Sequence, residues 1–590
     1  MNFFKVFLGS CLGVIAGLIL IFLIGIGMIS ALASFGDKSN KMPLDKASFL
    51  EIRTDHFYPE RTDNLEKSGF SFKEDKTIGL NDLVKTLQRA ESDPKIKGIA
   101  IRSASNALSP ASARTLHKAL LDFKRSHKPV FAYSDNYSEG AYYIASTADK
   151  IMINPNGSVD LKGYGAIMPY MKDLFDKIGI KFNIYYAGQY KSATEPLRLN
   201  KMSDQNRLQT REYLSDIYNV HAADIASSRK IDIQQFNKFV DDYQIRTAED
   251  AKKNNLVDEI GYQDDFYKLV SKELGGSETV KPEIVSLNRY FETPSTAPIN
   301  PGIDRIAVVY AEGDIVDGEG SYGQIGGAKY SRIFRKLRFD NKVKAVVLRV
   351  NSPGGSSLAS DNILHEIDLI KKAGKPVVVS MGDYAASGGY YISCHADSIF
   401  AQQNTLTGSI GVFMMGPDMS KLIHDKLNIN MDTVKVGKFS TAFSSVLPWS
   451  SEEGLIAQQE TDRIYDRFLT VVSEGRKKSK EDIHAIAQGR VWTGMRAFKN
   501  GLVDKEGDLN DAIACAARLA KMDKYKTSEY PSVKEPIQRI IDKITDQDIT
   551  DETLMKKHLG AFYPLIKIFK QQEETSFKPL MRLPYQLNFY

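Results

Sequence analysis

One pattern occurs twice in this chain, and that repetition limits its fold more than any other feature. KVKAVVLRVNSPGGSSLAS begins at residue 342 and KPVVVSMGDYAASGGYYISCHADSIF at 375; KIKGIAIRSASNALSPASA begins at 95 and KPVFAYSDNYSEGAYYIASTADKIM at 128. Further on, RTAEDAKKNNLVDEIG (246–261) answers VWTGMRAFKNGLVDKEG (491–507). Pairing 342 with 95, 375 with 128, 397 with 149 and 502 with 256 gives offsets of 247, 247, 248 and 246. A register held this far is an internal duplication, and its period is far too long for a solenoid. A chain of 590 residues is also too long for one hydrophobic core. Two copies of one domain satisfy both observations.

Each copy alternates strands with helices. Short β-branched runs such as Ala345–Val350 and Val377–Ser380 read as buried parallel strands. Between them, LASDNILHEIDLIKKAG reads as a helix that buries Ile363, Ile367 and Ile370 and stops at Gly374. A longer amphipathic helix is predicted from Ser450, with Glu453 completing a capping box, and its twin from Ser203. The expected organisation is an α/β chain of tandem duplicated domains at 45–270 and 303–525. A linker at 271–302 carries ETPSTAPINPG, and an extension at 526–590 has no partner in the first half and is rich in aromatic residues.

The N-terminus predicts a transmembrane anchor over residues 1–36. No charged residue lies between Val6 and Gly36, a run long enough to span a bilayer and about twice a signal-peptide core. The net charge of +5 comes from 78 basic and 73 acidic residues spread along the chain, so no basic block argues for nucleic acid. Cys11, Cys394 and Cys515 are too scattered for a disulfide framework or a zinc site. No cofactor motif is present.

Four segments carry candidate chemistry. VNSPGGSS (350–357) sits where a predicted strand ends, and Gly354 and Gly355 leave their amides open toward a ligand oxygen. The first copy has SASNALS there, without the glycine pair. Two serines compete as nucleophile: Ser387 in AASGGYY at a predicted helix start, and Ser409 in TLTGSIGV between Gly408 and Gly411. Their counterparts in the first copy are Glu139 and Leu161, so the duplication does not separate them. Serine needs a base, and His395 and His424 have no telling neighbours. Lys191, in YYAGQYKSATEP directly after a predicted strand, has a small and aromatic setting in which a lysine can lose its charge. It aligns with Ser440 of the second copy. A lysine in one copy and a serine in the other suggest one active site divided between two diverged halves.

GQYKSATEP, VNSPGGS, GDYAASGGYYIS, TLTGSIGV and RVWTG, in this order, resemble the signal peptide peptidase A (protease IV) family in its long, duplicated form. The resemblance covers nearly the whole chain. It implies Clp/crotonase-like domains and a Ser–Lys dyad endopeptidase. Carried over, Ser409 is the nucleophile, Lys191 the general base, Gly354 and Gly355 the oxyanion side, and Ser440 a hydroxyl that orients the lysine. AASGG also resembles the nucleophile motif of the Clp protease subunit, but no histidine follows it, so Ser387 is expected to be structural. The family further implies a homotetramer on the outer face of the bacterial inner membrane, held in the lipid bilayer by the N-terminal helix and degrading released signal peptides. An acyl-CoA-handling enzyme of the same broad fold and a catalytically dead membrane scaffold are the alternatives.

Overall fold

The computed structural model describes residues 43–62, 77–294, 304–532 and 578–583, with Gly13 and Gly17. The predicted anchor and most of the aromatic extension therefore lie outside the described residues. Among the described residues no helix is long and apolar enough to cross a membrane.

Two sheets share one order of six parallel strands, and the second sheet carries two more, Leu406–Gly408 and Val491–Thr493. The first runs, in spatial order, Glu259–Ile260, Lys150–Ile153, Val130–Ser134, Ile96–Ile101, Ser48–Ile52 and Ile284–Ser286. In the second, Lys505–Glu506, Ser398–Ala401, Val377–Ala386, Val343–Ser352, Arg305–Glu312 and Lys526–Tyr530 take the same places. Both faces of the central strands are covered, which is why they read as continuous apolar runs. The capping signals also form. Ser450 and Glu453 make a capping box at the start of a helix over Ser451–Arg476, and Ser203 caps its twin, Asp204–Arg229. The helix Ser357–Lys372 buries Ile363, Ile367 and Ile370.

Two boundaries move. The segment read as a linker contains the strand Ile284–Ser286, which pairs with Ser48–Ile52, and the helix Leu287–Glu292. The second repeat correspondingly continues past 525 into Lys526–Tyr530, paired with Arg305–Glu312. Each copy thus closes its sheet with a strand returned from beyond its last long helix. A short edge strand lacks the long apolar run that makes a central strand visible.

A third sheet joins the halves. Its order is Gln324–Gly326, Asp314–Val316, Gly354–Ser356, Leu580–Arg582, Val412–Asp418 and Lys181–Ala187. The last two strands come from different copies and pair antiparallel from Val412 opposite Ala187 to Asp418 opposite Lys181. Buried polar contacts reinforce the junction. Arg349 makes an ion pair with Glu60 of the first copy at 2.8 Å, both side chains being about 5 % exposed or less. Asp383 accepts from the Ser112 amide at 2.8 Å and from its hydroxyl at 2.6 Å.

Candidate active site

The strand Val377–Ala386 runs into Ser387, whose φ of 56° and ψ of −115° lie in a region L-residues rarely occupy. A single helical turn, Gly388–Tyr391, follows. The neighbouring strand Leu406–Gly408 ends at Ser409, with φ of 50°. The two turns are tied together, since Ser387 N–H donates to Gly408 O at 2.8 Å. Ser409 N–H donates to Arg490 O at 2.7 Å. The glycine frame around Ser409 is a packing requirement. A β-carbon on Gly408 would lie 2.9 Å from the Trp492 ring, and one on Gly411 would lie 2.8 Å from Gly489 Cα.

The cross-copy strand Lys181–Ala187 carries Lys191 to this point. Gly188 turns the chain with φ of 113° against the backbone of Gln488, and Tyr190 N–H donates to Gln488 O at 2.8 Å. Gly489 packs so closely on Lys191 that a β-carbon there would sit 2.7 Å from the lysine backbone nitrogen. Lys191 is 1 % exposed, and its Nζ lies 2.9 Å from Ser387 Oγ, 3.1 Å from Ser409 Oγ and 3.1 Å from Ser409 O. None of these partners is a carboxylate. Burial holds its ammonium well below the ordinary lysine range.

Gly354 and Gly355 form the adjacent wall. A β-carbon on Gly354 would meet Met581 O at 2.0 Å and Gly388 N at 2.7 Å, so only glycine allows this approach. The Gly354 amide donates to Ser352 Oγ at 3.1 Å. The Gly354 amide of the expected oxyanion pair is therefore engaged, and the wall adjoins the residue after Ser387.

The structure thus brings Lys191, Ser409 and the glycine pair into one site and adds Ser387, read from sequence as structural. Ser440 does not belong to it. Its side chain is exposed and its hydroxyl donates to Gly437 O at 2.9 Å. The alignment of Lys191 with Ser440 fails because the copies diverge there: the first forms the strand Lys181–Ala187, while residues 428–435 of the second form none. Of the histidines weighed as bases, His395 is held by Asp368 and Val471 O, each at 2.9 Å, and His424 lies at the surface, 2.8 Å from Asp425.

Sequence reasoning missed the bracing groups. Gln209 Nε2 donates to Tyr190 O at 3.1 Å and to Ser192 Oγ at 3.0 Å, while its Oε1 accepts from Val491 N–H at 3.1 Å. It locks the lysine turn to the strand that follows the Gln488–Gly489 clamp. The buried Glu195 accepts from Ser203 N–H at 3.2 Å and Asn206 Nδ2 at 2.9 Å. Gln209 lies buried within the helix predicted from Ser203, and nothing local in the sequence marks it as a brace.

In the first copy, Glu139 stands where Ser387 stands in the second. Its carboxylate accepts from the amides of Lys162 at 3.1 Å and Gly163 at 2.9 Å, filling the space a reactive site would need. Burial pushes that carboxyl up to about 7.

Residues 122–276 and 370–523 each match the profile of Peptidase family S49. The chain is 36% identical over 511 residues to "Protease 4" of Haemophilus influenzae, covering 84% of this chain and 82% of that one. It is 38% identical over 476 residues to "Protease 4" of Salmonella typhi, covering 79% and 76%. A chloroplastic serine protease SPPA of Arabidopsis thaliana is 30% identical, covering 75% and 66%. Among solved structures, ClpP1 of Listeria monocytogenes matches 35% of this chain and 92% of its own at 18% identity, with a TM-score of 0.23. The double match falls on both copies of the duplication and the site lies at their junction: this chain belongs to peptidase family S49 and is a serine peptidase.

Proposed function

We propose that the site is a Ser–Lys dyad in which Ser387 is the nucleophile, Lys191 the general base and Ser409 the residue that positions the lysine. This moves the nucleophile from Ser409, expected from sequence, to Ser387, which was expected to be structural, and gives Ser409 the lysine-orienting role expected of Ser440. One observation carries it: Lys191 Nζ, buried and without a carboxylate, lies 2.9 Å from the hydroxyl of a backbone-strained serine beside the glycine wall. Ser409 contacts the same Nζ through both its carbonyl and its hydroxyl, which suits a group that fixes the amine's direction.

Neutral Lys191 takes the proton of Ser387 as Oγ attacks a peptide carbonyl. In this reading the oxyanion develops beside the amides of Gly355 and Gly388, two residues that lie together: a β-carbon on Gly388 would be 3.1 Å from Gly355 N. The lysine then protonates the leaving amine, and water releases the acyl group. A lysine near 10.4 must fall by roughly 3 units to act at neutral pH, at a cost of about 4 kcal/mol. The dry walls of this site favour that neutral form.

Substrates in this reading are short apolar peptides, including released signal peptides. A homotetramer at the outer face of the inner membrane, anchored through residues 1–36, is part of the same proposal. It draws on the charge-free N-terminal run and on the family resemblance of the sequence motifs. Family membership disfavours the acyl-CoA reading, and a lysine kept buried against two serines disfavours a dead scaffold. The test is labelling by a fluorophosphonate. Wild type and Ser409→Ala should label and Ser387→Ala should not; labelling of Ser387→Ala at Ser409 restores the sequence assignment.

A further inference from the structure

The strand Leu580–Arg582 lies in the middle of the third sheet. It pairs antiparallel with Gly354–Ser356 on one side and reaches Val412–Asp418 on the other through Leu580 opposite Phe413. Without it those two strands have no connection in that sheet. Leu583 N–H continues the pairing by donating to Pro353 O at 2.6 Å. An extended segment added by its backbone to strands beside a hydrolytic site is how peptide ligands dock on open sheet edges. The Met581 carbonyl reaches the site. A β-carbon on Gly388, the residue after Ser387, would lie 3.2 Å from Met581 O.

Side chains along the segment alternate, as a strand requires. Met581 and Leu583 are buried at 1 % and 5 % exposure, and Leu583 packs with Ala386, Leu406 and Val491. Arg582 points the other way and makes an ion pair with Asp314 at 3.0 Å. Lys578 makes one with Asp317 at 2.9 Å.

We propose that residues 578–583 are a tethered occupant of the substrate strand, and that their side chains state the site's preference. On the reading of Ser387 as nucleophile, the site takes an extended peptide with an apolar residue opposite Gly355, another two residues later, and a basic residue between them that Asp314 selects. The tail competes in cis with such peptides.

The test uses the full chain and an internally quenched peptide containing KPLMRL. The variant Met581→Asp/Leu583→Asp cannot bury its tail and should raise kcat/KM several-fold. Arg582→Glu, which keeps the apolar residues but opposes Asp314, should move turnover the same way. A peptide with Glu in place of Arg should be cleaved about fivefold less well, the scale of a partly exposed ion pair. Asp314→Arg should reverse that preference. Unchanged turnover in both tail variants, or an Arg-over-Glu preference that survives Asp314→Arg, overturns the inference. Fluorophosphonate labelling run in parallel separates the two readings: if Ser387 labels, only the tail inference is lost, and if it does not, both are.

Discussion

Lys191 Nζ and Ser387 Oγ, 196 residues apart in sequence and on different copies of the duplication, lie 2.9 Å apart in a site that excludes solvent from both. The contact depends on an antiparallel strand pair between the copies, Lys181–Ala187 against Val412–Asp418. Neither half contains a complete site.

The two serines should separate in kinetics. Ser387→Ala should lower peptide turnover by roughly six orders of magnitude, to background, because the bond-forming atom is gone. Ser409→Ala should lower kcat by about 100-fold with little change in KM, because the lysine loses one hydroxyl contact yet keeps the carbonyl contact. Steady-state kinetics on well-folded variants, checked by circular dichroism, decide this. Equal loss at both positions would contradict distinct roles.

Lys191→Met should abolish turnover and raise stability at pH 7. The folded lysine's pKa is lowered by burial, so the unfolded state binds the extra proton. Its destabilising effect is absent above the unfolded value of about 10.4 and grows as pH falls toward the lowered folded value. Denaturant melts of wild type and Lys191→Met should therefore diverge as pH falls from about 10 and converge as it rises. Wild-type activity should likewise fall on acidification as Lys191 gains its proton.

Glu139→Gln should flatten the stability profile of the first copy. This carboxyl is raised by burial to about 7, so the folded state holds a proton that the unfolded state releases at lower pH. Wild-type stability should fall as pH rises from about 4.3, the unfolded value, through the folded value. The glutamine variant should lack that slope while retaining an oxygen for the Lys162 and Gly163 amides. Thermal melts between pH 4 and pH 8 measure it, and an unchanged slope contradicts the assignment.

Arg349→Met should cost about 3–5 kcal/mol, because it leaves Glu60 buried without its partner. The paired variant Glu60→Gln/Arg349→Met should recover much of that loss. A double-mutant cycle in urea tests it, and additive losses would mean that the pair does not couple the copies.

Residues 43–294 and 304–590, co-expressed as two chains, should reassemble with measurable peptidase activity. Their contact is carried by strand pairing and buried polar groups, not by the connecting chain. The same pair with Lys191→Ala should be inactive. Turnover from the second chain alone would show that its base is local.

Much of the architecture was legible because it rests on local physics. The offset between copies, the β-branched runs at Ala345–Val350 and Val377–Ser380, and the capping residues Ser450 and Ser203 act within a few neighbours. Lys191 was legible too, from the small residues around it. The closing strands Ile284–Ser286 and Lys526–Tyr530 were not, because a short strand is defined by its partner and not by its own composition.

The sequence by itself determined that two α/β copies exist, that they have diverged, and that a lysine of one and a serine of the other are the candidate chemistry. Only the tertiary structure decided which hydroxyls meet that lysine. Ser387 and Ser409 are both glycine-flanked and both absent from the first copy, so no local signal ranks them. The roles proposed for them follow from the direction in which Lys191 enters, set by its strand's pairing with Val412–Asp418 and by the Gln488–Gly489 clamp. Ser440 shows the converse. Equal spacing from the duplicated origin placed it opposite Lys191, yet an insertion of loop for strand carried it to the surface. Sequence offset is preserved through such a change and position in space is not, because position depends on backbone pairing between segments that sequence holds far apart.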